Sequence, residues 1–194
     1  MGSLSNFNDA CVSINEIKTK YDLNVFVETG CFQGNTLRYT TGYNFERMYS
    51  CDIDKEMIDR CSDISPNIEL FLGTSVEFLE QLLPRLTADR ILFFLDAHLP
   101  EHDKNSGTVL LDSEHNFPLR EEIEIINKYR KDKNDVIICD DLRIYEDGPF
   151  EGGNWDKRKN YKDLDLNFLS LYNYKVEKFY SHEGYIFLTK DIAV

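Results

Sequence analysis

The feature that most constrains the fold is an alternation of short apolar runs with stretches that suit helices. Two of the runs, residues 25–27 and 91–95, are continuously apolar, as strands covered on both faces of a sheet should be. Such alternation predicts right-handed βαβ crossovers and a mostly parallel sheet with helices on both sides. We therefore expect an α/β fold.

The individual elements follow from periodicity and turn residues. Strands are predicted over residues 24–28, 47–52, 68–72, 91–96, 136–140, 174–180 and 184–189. Helices are predicted over residues 35–41, 55–61, 76–83 and 119–131, after a leading amphipathic helix over residues 7–21. Only three residues separate the last two strands, so these must form an antiparallel hairpin, because a parallel pair needs a long crossover.

Composition narrows the class of protein. The 194 residues, 42% of them hydrophobic, suit one domain over residues 1–194. A net charge of −13 argues against a nucleic-acid partner. The five cysteines form no CxxC pair, and no segment reads as a signal peptide or a membrane span, so we expect a cytoplasmic protein.

A glycine turn follows the first predicted strand. That strand ends at Glu28, and Gly30 and Gly34 flank the turn into the next helix, where free N–H groups can meet a ligand. The dinucleotide fingerprint GxGxxG fails because Phe32 and Asn35 occupy its second and third glycine positions. NAD and FAD are therefore poor candidates.

Two further strand ends carry polar residues. Asp52 follows the glycine turn by roughly 20 residues, the distance at which a βαβ unit delivers a carboxylate to ribose hydroxyls. The third strand is followed by Gly73, Thr74 and Ser75. Ser75 is either a ligand of the cofactor or the N-cap of the next helix.

In this order, the glycine turn, Asp52, the Gly73-Thr74-Ser75 stretch and the terminal hairpin resemble the class I S-adenosylmethionine-dependent methyltransferases. The resemblance covers nearly the whole chain and implies a Rossmann-like, seven-stranded, mostly parallel sheet in the order 3-2-1-4-5-7-6. It also implies S-adenosylmethionine as cofactor. The residues that it assigns to cofactor binding are Glu28, Thr29, Gly30, Gly34, Asp52, Ser75 and Asp96.

Acidic residues follow the fourth and fifth strands, which that sheet order makes neighbours: Asp96 after one, Asp140 and Asp141 after the other. This pattern resembles the metal-dependent O-methyltransferases that include the catechol and macrocin enzymes. The resemblance implies that Asp96, Asp140 and Asp141 bind magnesium, which would lower the pKa of an acceptor hydroxyl. The alternative is that Asp140 or Asp141 caps the following structure while Asp96 contacts cofactor or substrate directly.

His98 is the candidate general base, with Asp96 as its catalytic neighbour, because an imidazole titrates near working pH. The catechol enzyme has a lysine in this neighbourhood, where this sequence has Leu99 and Pro100. A structural histidine is the alternative.

Two long segments, residues 99–118 and 146–159, follow strand carboxyl ends and are candidate lids. Trp155 on the second could face a sugar or anchor the loop, and Arg143 could pair with an anionic substrate or neutralise nearby aspartates. His102 and His115 on the first could reach a substrate. The acidic residues after Pro118, namely Glu121, Glu122 and Glu124, are ascribed to the helix dipole.

The resemblance therefore predicts an S-adenosylmethionine-dependent methyltransferase, assisted by magnesium, that acts on a hydroxyl of a sugar or glycan-linked small molecule, as in bacterial polysaccharide biosynthesis. An N-methyltransferase and a non-catalytic cofactor-binding module are the alternatives. The expected partner is a small-molecule acceptor, without nucleic acid or a membrane span, and a homo-oligomer is left open.

Overall fold

Seven strands form one sheet in the order β3-β2-β1-β4-β5-β7-β6 in the computed structural model of this chain. The structure describes residues 3–87, 89–98, 117–155 and 164–190. The strands are β1 (Val25–Thr29), β2 (Arg47–Asp52), β3 (Ile68–Leu72), β4 (Ile91–Leu95), β5 (Val136–Cys139), β6 (Lys175–Phe179) and β7 (Tyr185–Thr189). The predicted sheet order is confirmed.

Strand β1 lies at the centre of the parallel part of the sheet. It pairs in parallel with β2 and with β4, so that Val25 is opposite both Arg47 and Ile91. At the other end, β7 runs antiparallel between β5 and β6, which confirms the predicted hairpin. Every residue of β1 and β4 is buried, as expected from the continuously apolar residues 25–27 and 91–95.

In the described part of the chain, six α-helices cover the two faces of the sheet: α1 (Leu4–Ala10), α2 (Ile14–Tyr21), α3 (Asn35–Thr40), α4 (Lys55–Cys61), α5 (Ser75–Leu82) and α6 (Leu119–Arg130). Phe7, Ile17 and Leu37 from the first three helices share a core with Phe26 of β1. Helices α5 and α6 pack on the opposite face, where Leu79 and Ile123 join Val27. Among the described residues, no helix has the length and apolar character needed to cross a bilayer.

The prediction of one leading helix over residues 7–21 is wrong, because α1 and α2 are separate. Helix α1 ends at Ala10, and α2 begins at Ile14, whose N–H donates to the Asn8 side chain at 2.9 Å. Such a side-chain bond competes with the helical ladder. The break lets α1 lie against the hairpin, where the Phe7 ring contacts Phe179 and Tyr185 at centroid distances of 5.8 and 5.3 Å.

The amino edge of the parallel strands pairs buried acids with arginines. Arg130 is fully buried, and its Nε lies 2.5 Å from Asp135 Oδ2. The same guanidinium also donates to the carbonyl oxygens of Leu86 and Asp89. Arg47 pairs with the Asp89 carboxylate at 2.5 Å. At this edge each buried carboxylate therefore has an arginine partner.

Backbone hydrogen bonds tie the carboxyl ends of the central strands together. The Asp96 N–H donates to the Thr29 carbonyl at 3.1 Å, and the Asp140 N–H donates to Leu95 at 3.0 Å. The N–H groups of Gly30 and Cys31 both donate to the Cys51 carbonyl. The residues that the sequence singled out are thereby gathered at one edge of the sheet.

Candidate functional site

The two glycines of the first turn lie where a side chain would clash with neighbouring parts of the protein. Gly30 has a φ of +81°, and a Cβ there would lie 2.7 Å from the Asp96 carbonyl oxygen. Gly34 has a φ of +73°, and its Cβ would lie 2.8 Å from Cys61 Sγ. Any other residue would strain the backbone and push β4 or α4 away.

Between the glycines, Phe32 adopts a backbone conformation that glycine normally occupies. Its φ is +43°, in the left-handed region that is unfavourable for a bulky side chain. Its N–H donates to Asp52 Oδ2 at 2.8 Å, which holds the turn in this shape. Local strain of this kind is found preferentially at ligand sites.

Asp52 lies at the tip of β2, as predicted. Besides Phe32, its carboxylate accepts the Asp54 N–H at 2.9 Å and the weak Cys31 Sγ–H donor at 3.8 Å. Burial raises the pKa of Asp52, an effect opposed by the two backbone donors. Asp52 therefore shapes the turn, and a carboxylate has lone pairs left for a ligand.

Glu28 points away from the open edge, toward α3. It is 1% exposed, accepts the Ser50 hydroxyl at 2.7 Å and is also hydrogen-bonded by Thr36. Burial raises the pKa of this carboxyl to about 8. Its place in the structure is thus beneath the turn.

Thr29 and Ser75 are buried on the other face of the sheet, and both hydroxyls donate to the carboxyl of Glu122. The Thr29 hydroxyl also accepts the Asp96 N–H at 3.3 Å. The N-cap of α5 is Thr74, which forms a capping box with Glu77, so the alternative of Ser75 as N-cap is wrong. Neither Thr29 nor Ser75 presents its hydroxyl at the surface.

Glu122 is the residue that sequence reasoning missed. It is 1% exposed, burial raises its pKa to about 7, and its Oε1 atom has no hydrogen-bond partner among the residues that the structure describes. A helix dipole favours an exposed acid in the first turn, whereas Glu122 lies on the buried face with Leu119 and Ile126. That helical spacing was the signal available in the sequence.

Beyond β4 and β5, three side chains converge. His98 Nε2 lies 2.7 Å from Asp141 Oδ2, and His98 Nδ1 lies 3.4 Å from Asp96 Oδ1. Each of the three offers one potential ligand atom, and these atoms lie within 4.8 Å of one another. The cluster of Asp96, His98 and Asp141 is called the acidic triad below.

Asp140 is not part of the acidic triad. Its Oδ1 accepts the Asp141 N–H at 2.8 Å, and its buried Oδ2 has no hydrogen-bond partner within the described segments. Asp141 has a left-handed φ of +53°, which separates the directions of the two neighbouring carboxylates. Of the three predicted metal ligands, the structure brings Asp96 and Asp141 together, with His98 in the place expected for Asp140.

Burial and repulsion between neighbouring carboxylates dominate the electrostatics around the acidic triad. Burial, then the charges of Asp140 and Asp141, raise the pKa of Asp96 well above its ordinary value. Burial likewise raises the pKa of Asp140, to about 8. Burial opposes the charged form of His98, but its hydrogen bond to Asp141 and the neighbouring negative charges raise its pKa overall.

Arg143 borders the acidic triad and fits the second of its two predicted roles. Its Nε lies 3.2 Å from Asp141 Oδ1, its Nη2 lies 3.7 Å from Glu183 Oε1, and its guanidinium lies 5.6 Å from the Trp155 ring centroid. It thus neutralises nearby acids and contacts Trp155. Residues 99–116, with His102 and His115, and residues 156–159 of the predicted lids lie outside the described residues.

Comparison with known proteins relates the fold to solved structures. No protein-family model matches the chain, and no curated protein matches it significantly. A putative caffeoyl-CoA O-methyltransferase from Staphylococcus aureus is similar in structure, with 12% identity, a TM-score of 0.62, and coverage of 91% of this chain and 80% of that one. The O-methyltransferase TomG from Streptomyces achromogenes, solved with S-adenosylmethionine, is also similar in structure. Its identity is 11% and its TM-score 0.56, with coverage of 91% of this chain and 77% of that one.

This chain has the class I methyltransferase fold. A spermidine synthase from Thermotoga maritima shares it, with 14% identity, a TM-score of 0.60, and coverage of 97% of this chain and 60% of that one. Within the class I methyltransferase fold, the chemistry is therefore decided by the side chains at the carboxyl edge.

Proposed function

We propose that this protein is an S-adenosylmethionine-dependent methyltransferase that methylates a hydroxyl of a small polar acceptor, with assistance from a divalent cation. One observation carries the proposal: in the part of the chain that the structure describes, three buried acids near the carboxyl ends of the central strands form no salt bridge. Glu28, Glu122 and Asp140 take part in no salt bridge among the described residues. The amino edge pairs its buried acids with arginines.

Unpaired buried acids are costly, and a cationic ligand relieves that cost. When bound, S-adenosylmethionine supplies a methyl group on a positively charged sulfonium. Asp52 at the β2 tip would hold the ribose, and the strained turn at Phe32 would border the cofactor. The excess of acid at this edge favours such a cofactor over an anionic one.

The acidic triad fits a divalent cation by its donor chemistry, since Asp96, His98 and Asp141 offer two carboxylate oxygens and one imidazole nitrogen. When bound, the cation supplies Lewis acidity that lowers the pKa of an acceptor hydroxyl. A nitrogen donor suits manganese or zinc better than magnesium, whose usual ligands are all oxygens. We therefore extend the expectation of magnesium to these ions.

His98 has two roles open to it. As a cation ligand it would use a ring nitrogen, with Asp96 and Asp141 as the other donors. Without a cation, its hydrogen bond to Asp141 would orient the ring as the base that takes the acceptor proton. A chelator separates the two roles.

A sugar or glycan-linked compound is the proposed acceptor class. Trp155 provides a large aromatic face, and its contact with Arg143 connects it to Asp141 of the acidic triad. Aromatic faces bind the apolar sides of sugar rings while polar neighbours take the hydroxyls. This assignment predicts that the Trp155 loop contributes to acceptor binding.

The test is transfer of labelled methyl groups to a panel of sugars, nucleotide sugars and amines, with EDTA or with added magnesium or manganese. O-methylated products that disappear with EDTA and return with manganese support the whole proposal. Turnover unaffected by EDTA would contradict the role of the cation, and His98 would then be the proposed base. Methylated amines indicate N-methylation, and cofactor binding without turnover on any acceptor contradicts the enzymatic part.

A further inference from the structure

Glu122 differs from the structural buried acids of this protein. Asp135 is buried to a similar degree, but both its carboxylate oxygens accept hydrogen bonds and Arg130 neutralises it. Glu122 forms no salt bridge among the described residues, the charge of His98 lowers its pKa less than the two hydroxyls do, and no described residue donates to its Oε1. A buried carboxyl with an unused oxygen is expensive unless something else completes it.

The hydrogen bonds that Glu122 does make connect it with the predicted cofactor turn. Thr29 immediately precedes Gly30, and Ser75 is the first residue of α5, after the β3 tip. The Thr29 hydroxyl oxygen also accepts a hydrogen bond from the Asp96 backbone N–H. Glu122 therefore lies beneath the junction of β1, α5 and the acidic triad.

We propose that Glu122 is a specificity-determining residue that senses the positive charge of the methyl donor, favouring S-adenosylmethionine over its uncharged product, S-adenosylhomocysteine. The inference rests on the proposed function, since it concerns the ligand of that same site. The sulfonium is the difference between donor and product that a buried negative charge can distinguish. A site with such a residue retains the donor and releases the product.

The physical consequence is a proton linkage. Because burial holds the Glu122 pKa at about 7, much of the carboxyl is protonated at neutral pH in the free protein. A nearby sulfonium favours the carboxylate, so donor binding lowers that pKa and the released proton passes to the buffer. By reciprocity, the ionised protein binds the donor more tightly, about tenfold for each unit by which the pKa falls.

Other groups near Glu122 also bear charge or titrate. These are His98, Asp96, Glu121, Cys51, Cys139 and Tyr145. Their contributions are common to the wild type and to a variant that changes Glu122 alone. The difference between those two proteins therefore isolates Glu122.

The experiment is calorimetric titration of the intact protein in EDTA, with S-adenosylmethionine and with S-adenosylhomocysteine, from pH 6 to 8 in buffers of different ionisation enthalpy. If donor binding lowers the Glu122 pKa by about one unit, we expect the donor-to-product affinity ratio of the wild type to rise about fivefold over this range. We also expect donor binding at pH 7 to release roughly 0.4 proton more in the wild type than in Glu122→Gln. Glu121→Gln is the matched control, because its carboxyl is exposed one residue away.

Glutamine keeps an acceptor for the Thr29 and Ser75 hydroxyls, so Glu122→Gln should fold, which thermal unfolding checks. Ser75→Ala supplies a second test: losing a donor to the carboxylate raises the Glu122 pKa and moves the proton release to higher pH. Equal pH dependence in the wild type and Glu122→Gln would overturn the inference while leaving the proposed function intact. If neither S-adenosylmethionine nor S-adenosylhomocysteine binds, the proposed function is refuted instead.

Discussion

At the scale of single residues, two buried carboxyls flank the end of β1 on opposite faces of the sheet. Glu28 lies on the α3 side with Ser50, and Glu122 lies on the α6 side with Thr29 and Ser75. Burial raises the pKa of each carboxyl, and the hydroxyls that hold it lower the pKa only in part, so each stays partly protonated near neutral pH. Both carboxyls make the stability of the protein depend on pH.

Glu28→Gln should stabilise the protein progressively more as pH rises. The Glu28 pKa is about 8 in the folded protein and ordinary in the unfolded chain, so the unfolded state binds fewer protons between these values and wild-type stability falls with pH. Glutamine removes this loss, giving a gain on the order of 1–4 kcal/mol at pH 8 relative to pH 5. Urea unfolding at both pH values measures it.

The control for Glu28 is Glu16→Gln, which changes an exposed carboxyl on α2. Its effect on unfolding should be small and nearly independent of pH. If the change in unfolding free energy caused by Glu28→Gln is equally independent of pH, Glu28 ionises normally in the folded protein.

Phe32→Gly should stabilise the turn and weaken ligand binding. Glycine adopts the left-handed φ of +43° without the strain of about 1 kcal/mol that Phe32 bears. Phe32→Ala keeps that strain and serves as the control, since both variants lose the ring. We expect a higher melting temperature for glycine than for alanine, and weaker S-adenosylhomocysteine binding by both; unchanged affinity would exclude the ring from the cofactor site.

At the scale of elements, the pattern of the sequence predicted the strands well, because buried parallel strands have a distinctive composition. Strands β2 and β3 and helix α4 have their predicted bounds. The break between α1 and α2 was missed, since apolar spacing continues across it while the Asn8 side chain bonds the Ile14 N–H. Competition by one polar side chain leaves little trace in a hydrophobic pattern.

The junction of α6 with the amino ends of β4 and β5 depends on Arg130. Arg130→Met should cost about 3 kcal/mol or more, because it leaves the buried Asp135 carboxylate and two carbonyls without their partner. Arg47→Met, at a half-exposed ion pair, should cost about 1 kcal/mol or less.

Denaturant unfolding of the double variant Arg130→Met, Asp135→Asn completes the test at this junction. Asparagine removes the unpaired charge yet keeps an acceptor for the Ile91 N–H, so the double variant should be more stable than Arg130→Met alone. If the losses in unfolding free energy of the two single variants simply add in the double variant, the ion pair contributes no coupling energy.

At the scale of the whole molecule, the two edges of the sheet differ in how their buried acids are partnered. The amino edge pairs Asp89 and Asp135 with arginines, whereas Glu28, Glu122 and Asp140, near the carboxyl ends of the strands, form no salt bridge among the described residues. The sequence predicted which edge carries the site, because strand ends are readable from apolar runs. It could not predict that His98 would join Asp96 and Asp141 in the acidic triad while Asp140 stays outside it, since that depends on the left-handed φ of Asp141.

A cation should stabilise the folded protein if the acidic triad binds it. We expect manganese to raise the melting temperature in a concentration-dependent way, and magnesium to do so less. His98→Gln should abolish most of the manganese effect, whereas His182→Gln, at a histidine outside the acidic triad, should retain it. A wild-type melting temperature that is indifferent to both ions would exclude the cation site.

The central claim is that the carboxyl edge of this sheet binds S-adenosylmethionine, and calorimetric titration with the unreactive S-adenosylhomocysteine tests it most directly. We expect saturable binding of one ligand per chain, weakened about tenfold or more by Asp52→Asn and unchanged by Asp63→Asn, whose carboxyl is exposed. No binding at millimolar ligand by protein that is shown to be folded would contradict it.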